Sequence, residues 1–319
     1  MTSTPETAVL GSLTEALASV LSCSREVIEL AVCTMVAGGH LLLEDVPGVG
    51  KTTLARAMAR GVGGTSKRIQ FTPDMLPGDL TGVSVYQQST GRFEFHPGPL
   101  FANIVIADEI NRANPKTQSA MLEAMAEGQI SVDGDTYPLP DPYMVIATQN
   151  PIELEGTYAL PEAQLDRFMT CASFGYPTAD AESAMVANDH TDSPLAHLER
   201  VCSAEDIARL RAQAGRVRVA RPIADYIVAL VASTRRWEGV RYGASPRGSL
   251  GLAAMARSRA MTLGRDFVLV DDVQAVAVPV LAHRLVLDHG GYGTGVMERS
   301  RALVADIVSA TPAPRVANV

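Results

Sequence analysis

The segment Leu43–Thr53 reads LEDVPGVGKTT, and its closing Gly50-Lys51-Thr52 is the run most suited to chemistry. A glycine-rich turn that ends in Gly-Lys-Thr at the start of a helix can wrap phosphates. Backbone N–H groups point at the oxygens, the lysine brings a point charge, and the hydroxyl can reach Mg²⁺. The full pattern, G-x-x-x-x-G-K-[ST], asks for glycine at position 45, where this chain has Asp45. That position is the strand exit, outside the set of N–H donors, so a carboxylate pointing away from the phosphates is compatible with binding. The residues expected against the nucleotide are Pro47, Gly48, Val49, Gly50, Lys51, Thr52 and Thr53, with Pro47 stiffening the turn through its fixed φ. On these residues alone, an ordinary Gly-Pro turn that contains Gly-Lys-Thr by accident remains the alternative.

Downstream, residues 103–113 read NIVIADEINRA. Four apolar residues followed by Asp108 and Glu109 describe a buried strand that ends in two carboxylates. At the end of a parallel strand both reach the crevice where ligands bind. Asp108 would hold Mg²⁺ through water, and Glu109 would take a proton from the attacking water. The competing reading is a solvated acidic turn. A second run, MVIATQNP at 144–151, places Asn150 at a strand end, where its amide could orient water or a terminal phosphate, although Asn-Pro is also an everyday turn.

The elements that must position these groups alternate between short apolar runs and helical periodicity. Leu41–Leu43, Arg68–Phe71, Ile104–Ala107, Met144–Ala147 and Cys171–Phe174 read as strands, and residues 12–37 and 51–60 read as helical. That alternation predicts an α/β domain with a five-stranded parallel sheet covered on both faces. Two stretches break the rhythm. Val83–Phe95 alternates around Gln88–Gly91, and residues 130–139 flank Asp133-Gly134, so two β-hairpins are expected as insertions. Beyond residue 178 the spacing predicts helices at 204–213, 223–237, 246–263, 271–288 and 298–309. The expected organisation is a flexible N-terminus at 1–11, an α/β nucleotide-binding core at 12–178, a smaller all-α domain at 179–309 and a flexible tail at 310–319.

Bulk properties narrow the function classes. A formal net charge of −8 and a sequence pI near 5.3 give no global reason to expect nucleic acid as a partner. Cys23, Cys33, Cys171 and Cys202 show no C-x-x-C spacing and read as reduced thiols. His190 and His197 share a possible helix face but lack a third ligand, which argues against a zinc site. The apolar stretch Val27–Leu43 is broken by Glu29, Gly38-Gly39 and His40, so no membrane span is expected, and the first residues lack an apolar signal core. A cytoplasmic protein is the expectation.

Taken in order, the three motifs resemble an AAA+ ATPase. The segments LLLEDVPGVGKTTLARAMA, RIQFTPDMLPGDLTG, FEFHPGPLFANIVIADEINRANPKTQSAMLEAM, MVIATQNP, ALPEAQLDRFM and SPRGSL are similar specifically to the MoxR family, across nearly all of residues 20–290. Some members of that family carry Asp where the first loop glycine stands, which makes Asp45 an accepted variant. The resemblance implies an AAA+ P-loop core with two hairpin insertions and a helical lid, binding ATP with Mg²⁺ held by Thr52 and Asp108. It further implies that Glu109 and Asn150 serve hydrolysis, that Arg167 of LDRF is an arginine finger acting on the neighbouring subunit, and that Arg247 of ASPRGS is a sensor carried by the lid. It implies a homo-oligomeric ring, a hexamer, and a partner with a von Willebrand factor A-type domain. The chain departs from the family at Leu21–Ser24, where a Gly-Gln pair usually stands near the adenine. The implied task is chaperone-like remodelling of protein complexes. The rivals are the ATPase subunit of a magnesium chelatase and a nucleotide-gated scaffold without turnover. Phe93 and Phe95, on the first hairpin, read equally as partner-facing or as packing residues.

Overall fold

The computed structural model describes residues 5–21, 23–44, 50–149, 158–175, 179, 182–183, 194–288 and 294–314. Its first part runs α1 (Pro5–Ala18), α2 (Arg25–Val36), β1 (Leu41–Glu44), α3 (Lys51–Gly61), β2 (Ser66–Gln70), α4 (Pro77–Thr81), β3 (Gly82–Gln87) and β4 (Arg92–Pro97). There follow β5 (Ile104–Asp108), α5 (Pro115–Glu127), β6 (Gln129–Val132), β7 (Asp135–Pro138), β8 (Met144–Gln149) and β9 (Thr170–Ala172). The central sheet has the order β2-β5-β8-β1-β9 with every pair parallel.

The strand sequences explain this arrangement. Leu41, Leu43, Ile104, Ile106, Met144 and Ile146 point into one apolar cluster, shared with α1, α2 and α3. Leu42, Val105, Ala107, Val145 and Ala147 point into the other, against Met121, Leu122 and Met125 of α5. Unbroken apolar runs are what a sheet buried on both faces requires, because alternate side chains must each find a dry surface. At the edge, β2 exposes Ser66, Lys67 and Arg68, and those charges discourage pairing with another strand.

Helix ends are set locally. Asn114 caps α5 through its Oδ1, which accepts from the backbone N–H groups of Lys116 and Thr117, and Pro115 fills the first position. The single helical stretch expected over 12–37 is two helices. Ser24 caps the second by accepting from Val27 N–H. The first already starts at Pro5, since Leu10, Leu13 and Leu17 form one buried stripe.

Both hairpins form where alternation placed them. Asp133 and Gly134 both take positive φ, as the tight turn between β6 and β7 demands. Phe95 stacks on Tyr137 at 4.1 Å between ring centroids and so ties one hairpin to the other, whereas Phe93 stays largely exposed.

The C-terminal part holds helices Ala204–Arg216, Arg221–Thr234, Pro246–Thr262, Val270–Leu281 and Thr294–Ala310. The helix expected over 271–288 stops at Leu281. A 3₁₀ turn, Ala282–Arg284, follows, and Val286–Leu287 pairs antiparallel with Val240–Tyr242 as a short ribbon. The sequence reading contained no such ribbon, because two- and three-residue strands carry too little period to see.

His40 joins the sheet to α5. Its Nδ1 accepts from Val145 N–H at 3.0 Å, so Nε2 carries the proton and donates to Met125 O at 3.1 Å. Burial pushes its pKa down to about 4, and burial together with the neighbouring Arg284 pushes His283 well below the ordinary range. The unfolded chain takes up these protons near pH 6.5 and the folded chain only at lower pH. Between about 6.5 and 4 the unfolded state therefore binds more protons, and stability falls as pH falls. His40 contributes up to about 1.4 kcal/mol per pH unit in that window, and His283 acts in the same direction. Urea unfolding midpoints should drop from pH 7 to pH 5, and His40→Gln should lower the midpoint at pH 7 while flattening that dependence. Equal wild-type midpoints at both pH values would contradict the assignment.

Candidate functional site

The strand order brings β1, β8 and β5 side by side, so their C-terminal ends meet along one rim. Helix α3 starts at that rim. Gly50 precedes it with φ 94°, a left-handed conformation that favours glycine, and Lys51 is its first residue. Thr52 Oγ1 donates to Asp108 Oδ2 at 3.4 Å. Asp108 is buried, and Thr148 Oγ1 donates to its other oxygen at 3.4 Å. Arg68 Nε reaches Asp108 Oδ2 at 2.6 Å from the edge strand.

Glu109 stands one residue beyond β5 with φ 57°, a conformation that costs energy for a residue with a Cβ. Its backbone N–H donates to Thr148 Oγ1 at 3.0 Å, which fixes the turn. Its carboxylate accepts from Gln70 Nε2 at 2.8 Å and pairs with Arg112 at 3.1 Å. Gln149 Nε2 donates to Glu44 Oε1 across the paired ends of β8 and β1.

The structure thus brings Thr52, Asp108 and Glu109 together at the start of the Lys51 helix. Pro47, Gly48, Val49 and Asn150 lie outside the described residues, as does Asp45. Arg167 is half-buried and donates to Leu122 O of α5 in its own chain. Arg247 is exposed on the first turn of the helix Pro246–Thr262, with its backbone N–H donating to Ser245 Oγ at 3.0 Å. Sequence reasoning missed Arg68, Gln70, Arg112 and Thr148. The pairing of β2 with β5 and of β5 with β8 carries Arg68, Gln70 and Thr148 to the carboxylates, whereas Arg112 reaches Glu109 locally, three residues along the turn that follows β5.

Comparisons with known proteins give the family. Residues 40–170 match the family model described as ATPase family associated with various cellular activities (AAA), and residues 232–307 match the AAA lid domain. The chain is 46% identical to the Bacillus subtilis protein YeaC over 306 residues, covering 96% of this chain and 95% of that protein. It is 45% identical over 273 residues to Chaperone MoxR1 of Mycobacterium tuberculosis, covering 83% of this chain and 72% of that one. The chain belongs to the MoxR family of AAA+ ATPases. Protein MoxR of Methylorubrum extorquens is 34% identical over 319 residues, covering 90% of each. The crystal structure of a candidate ATPase from Cytophaga hutchinsonii superposes with a TM-score of 0.85 at 33% identity, covering 97% of this chain and 96% of that one.

A MoxR-family site calls for a nucleotide and Mg²⁺, and the residues present fit both. Among the described residues no cluster of three His, Cys, Asp or Glu groups could hold a metal alone. A Mg²⁺ ion rarely needs one, since it binds through one or two carboxylates with phosphate oxygens and water supplying the rest. The adjoining Thr52 hydroxyl and Asp108 carboxylate are a donor set of that kind. Likewise, among the described residues no helix is long and apolar enough to cross a membrane.

Two substitutions separate the roles within the loop. Lys51→Ala removes a charge-assisted contact and should weaken binding of a fluorescent ADP by about 10- to 100-fold. Asp45→Gly should leave it nearly unchanged, because the sequence reading puts residue 45 ahead of the N–H groups expected to face the phosphates. Equal losses from both variants would refute this placement of the loop.

Proposed function

We propose that this MoxR-family chain hydrolyses ATP and uses the cycle to remodel or assemble partner protein complexes, working as a homo-oligomeric ring, a hexamer. One observation supports the reading above others: at the end of β5 the buried Asp108 carboxylate accepts from Thr52 of the Gly-Lys-Thr helix start, with Glu109 next to it in the chain. Hydrolysis of this kind is mostly positioning and charge neutralisation. Lys51 and the helix N-terminus would hold the phosphates. Thr52 and Asp108 would hold Mg²⁺, which supplies charge neutralisation on the phosphate oxygens. Glu109 would accept the proton of the attacking water, and Asn150 would orient that water. Arg247 would come down from the lid, and Arg167 would act on the neighbouring subunit's nucleotide.

A site completed by the neighbour makes a heterologous ring the natural assembly, because head-to-tail contacts close only by rotation. Chaperone MoxR1 is the relative whose name supports the chaperone-like task. The family resemblance supports a partner with a von Willebrand factor A-type domain.

Glu109→Gln should keep ATP binding and slow turnover by roughly 10²–10⁴-fold, the usual contribution of one general base. Arg167→Ala should also abolish hydrolysis. A mixture of the two, shown by native mass spectrometry to form mixed rings, should regain activity, since about a quarter of random interfaces would hold both intact groups. Diluting wild type with Glu109→Gln measures how far one dead site silences its neighbours. Linear loss in that dilution with no rescue in the mixture would retire the trans-acting arginine.

A further inference from the structure

Asp166 stands between Leu165 and Arg167, and none of the roles proposed above falls on it. Its carboxylate takes one group from each of two places in the lid. Oδ1 accepts from Arg284 Nε at 2.8 Å, and Oδ2 accepts from Ser245 Oγ at 2.8 Å. Ser245 is the N-cap of the helix that carries Arg247, with its Oγ accepting from Arg247 N–H. Arg284 is itself buried, at 8% exposure. Its remaining N–H groups go to Phe168 O at 2.7 Å, Met169 O at 3.2 Å and Val280 O, so this one side chain spans the Arg167 segment and the end of the helix Val270–Leu281. His283 adds a contact from Nε2 to Phe168 O at 3.0 Å.

A buried guanidinium is costly without an opposite charge beside it. Burial lowers the affinity of Arg284 for its proton, and the Asp166 carboxylate opposes that effect. The pair therefore cannot separate cheaply, and any shift of the lid must be felt at residues 166–169. Ordinary surface pairing would give neither the burial of Arg284 nor the four backbone carbonyls, of Asp166, Phe168, Met169 and Val280, that accept from it.

We propose that Asp166 is a positioning residue that clamps the lid to the segment carrying Arg167, so that one carboxylate sets where Arg247 stands over the nucleotide. This rests on the assignment of Arg247 to the nucleotide under Proposed function, and it adds the residue that places it.

The test is equilibrium binding of a fluorescent ADP to the full-length chain, which needs no turnover. Asp166→Asn keeps the shape but removes the charge, and it should weaken ADP by about tenfold, the scale of one charge-assisted hydrogen bond. In an Arg247→Ala background the same change should add nothing, because its effect runs through Arg247. Ser245 variants repeat the test without touching the Arg284 pair. Ser245→Asp keeps the helix cap but sets a carboxylate against Asp166, and it should match Asp166→Asn. Ser245→Asn keeps the cap and can donate its amide, so it should bind within about twofold of wild type.

Wild-type affinity in both Asp166→Asn and Ser245→Asp would overturn the proposal, as would a loss in Asp166→Asn that adds in full to that of Arg247→Ala. Wild-type affinity in Arg247→Ala alone would instead remove Arg247 from the nucleotide site and take the clamp's purpose with it. If Asp166→Asn does not fold, the contrast between Ser245→Asp and Ser245→Asn decides.

Discussion

A carboxylate withdrawn from water must be compensated, and at Asp108 that requirement organises the rim of the candidate site. Thr52 on α3, Thr148 on β8 and Arg68 on β2 all direct donors at its two oxygens. Those donors come from three elements far apart in sequence, so solvating one charge fixes how α3 enters, how β8 ends and how the edge strand lies. Arg68 is half-exposed, and its ion pair adds little to stability on its own. Its effect is local: its guanidinium sets a positive charge against the Asp108 carboxylate at the rim. Thr148 acts twice, since it also accepts from the backbone of Glu109 and so holds the left-handed turn that presents the second carboxylate.

The same economy extends to the periphery. Phe95 and Tyr137 join the two hairpins, while the Tyr86–Phe93 pair, at 5.3 Å, is left near the solvent-facing end of the first. The two phenylalanines the sequence presented as equivalent share one face of β4, yet Phe95 meets Tyr137 of the second hairpin and Phe101, while Phe93, nearer the turn, meets only Tyr86 among rings and stays exposed. On the opposite side, the helix Pro246–Thr262 is anchored to α2 by Ser258 Oγ donating to Cys33 O at 3.0 Å, and one apolar cluster runs from α1 and α2 into the lid helices. Lid and core therefore share dry surface as well as the polar clamp around Asp166.

What was legible in the sequence was what short-range physics writes there. The buried strands announced themselves as apolar runs, the hairpin at Asp133-Gly134 by its turn residues, and the candidate site by Gly50-Lys51-Thr52 and Asp108-Glu109 at the ends of those runs. What was not legible depends on neighbours brought by topology. Gln70 and Thr148 are ordinary polar residues until β2 and β8 flank β5. Arg284 reads as a surface arginine until the end of its helix turns toward Phe168. Element ends drifted for a similar reason: tertiary burial of Leu10 started α1 well before residue 12, and the break between α1 and α2 came from a serine cap that periodicity does not weigh.

The most direct test of the central claim is a crystal structure with a non-hydrolysable ATP analogue and Mg²⁺. The account predicts the β- and γ-phosphates at the N-terminus of α3 beside Lys51, Mg²⁺ bonded to Thr52 Oγ1 and reaching Asp108 through water, and Glu109 facing the γ-phosphate. Phosphates seated away from that helix start, or Mg²⁺ coordinated without Thr52 and Asp108, would contradict it.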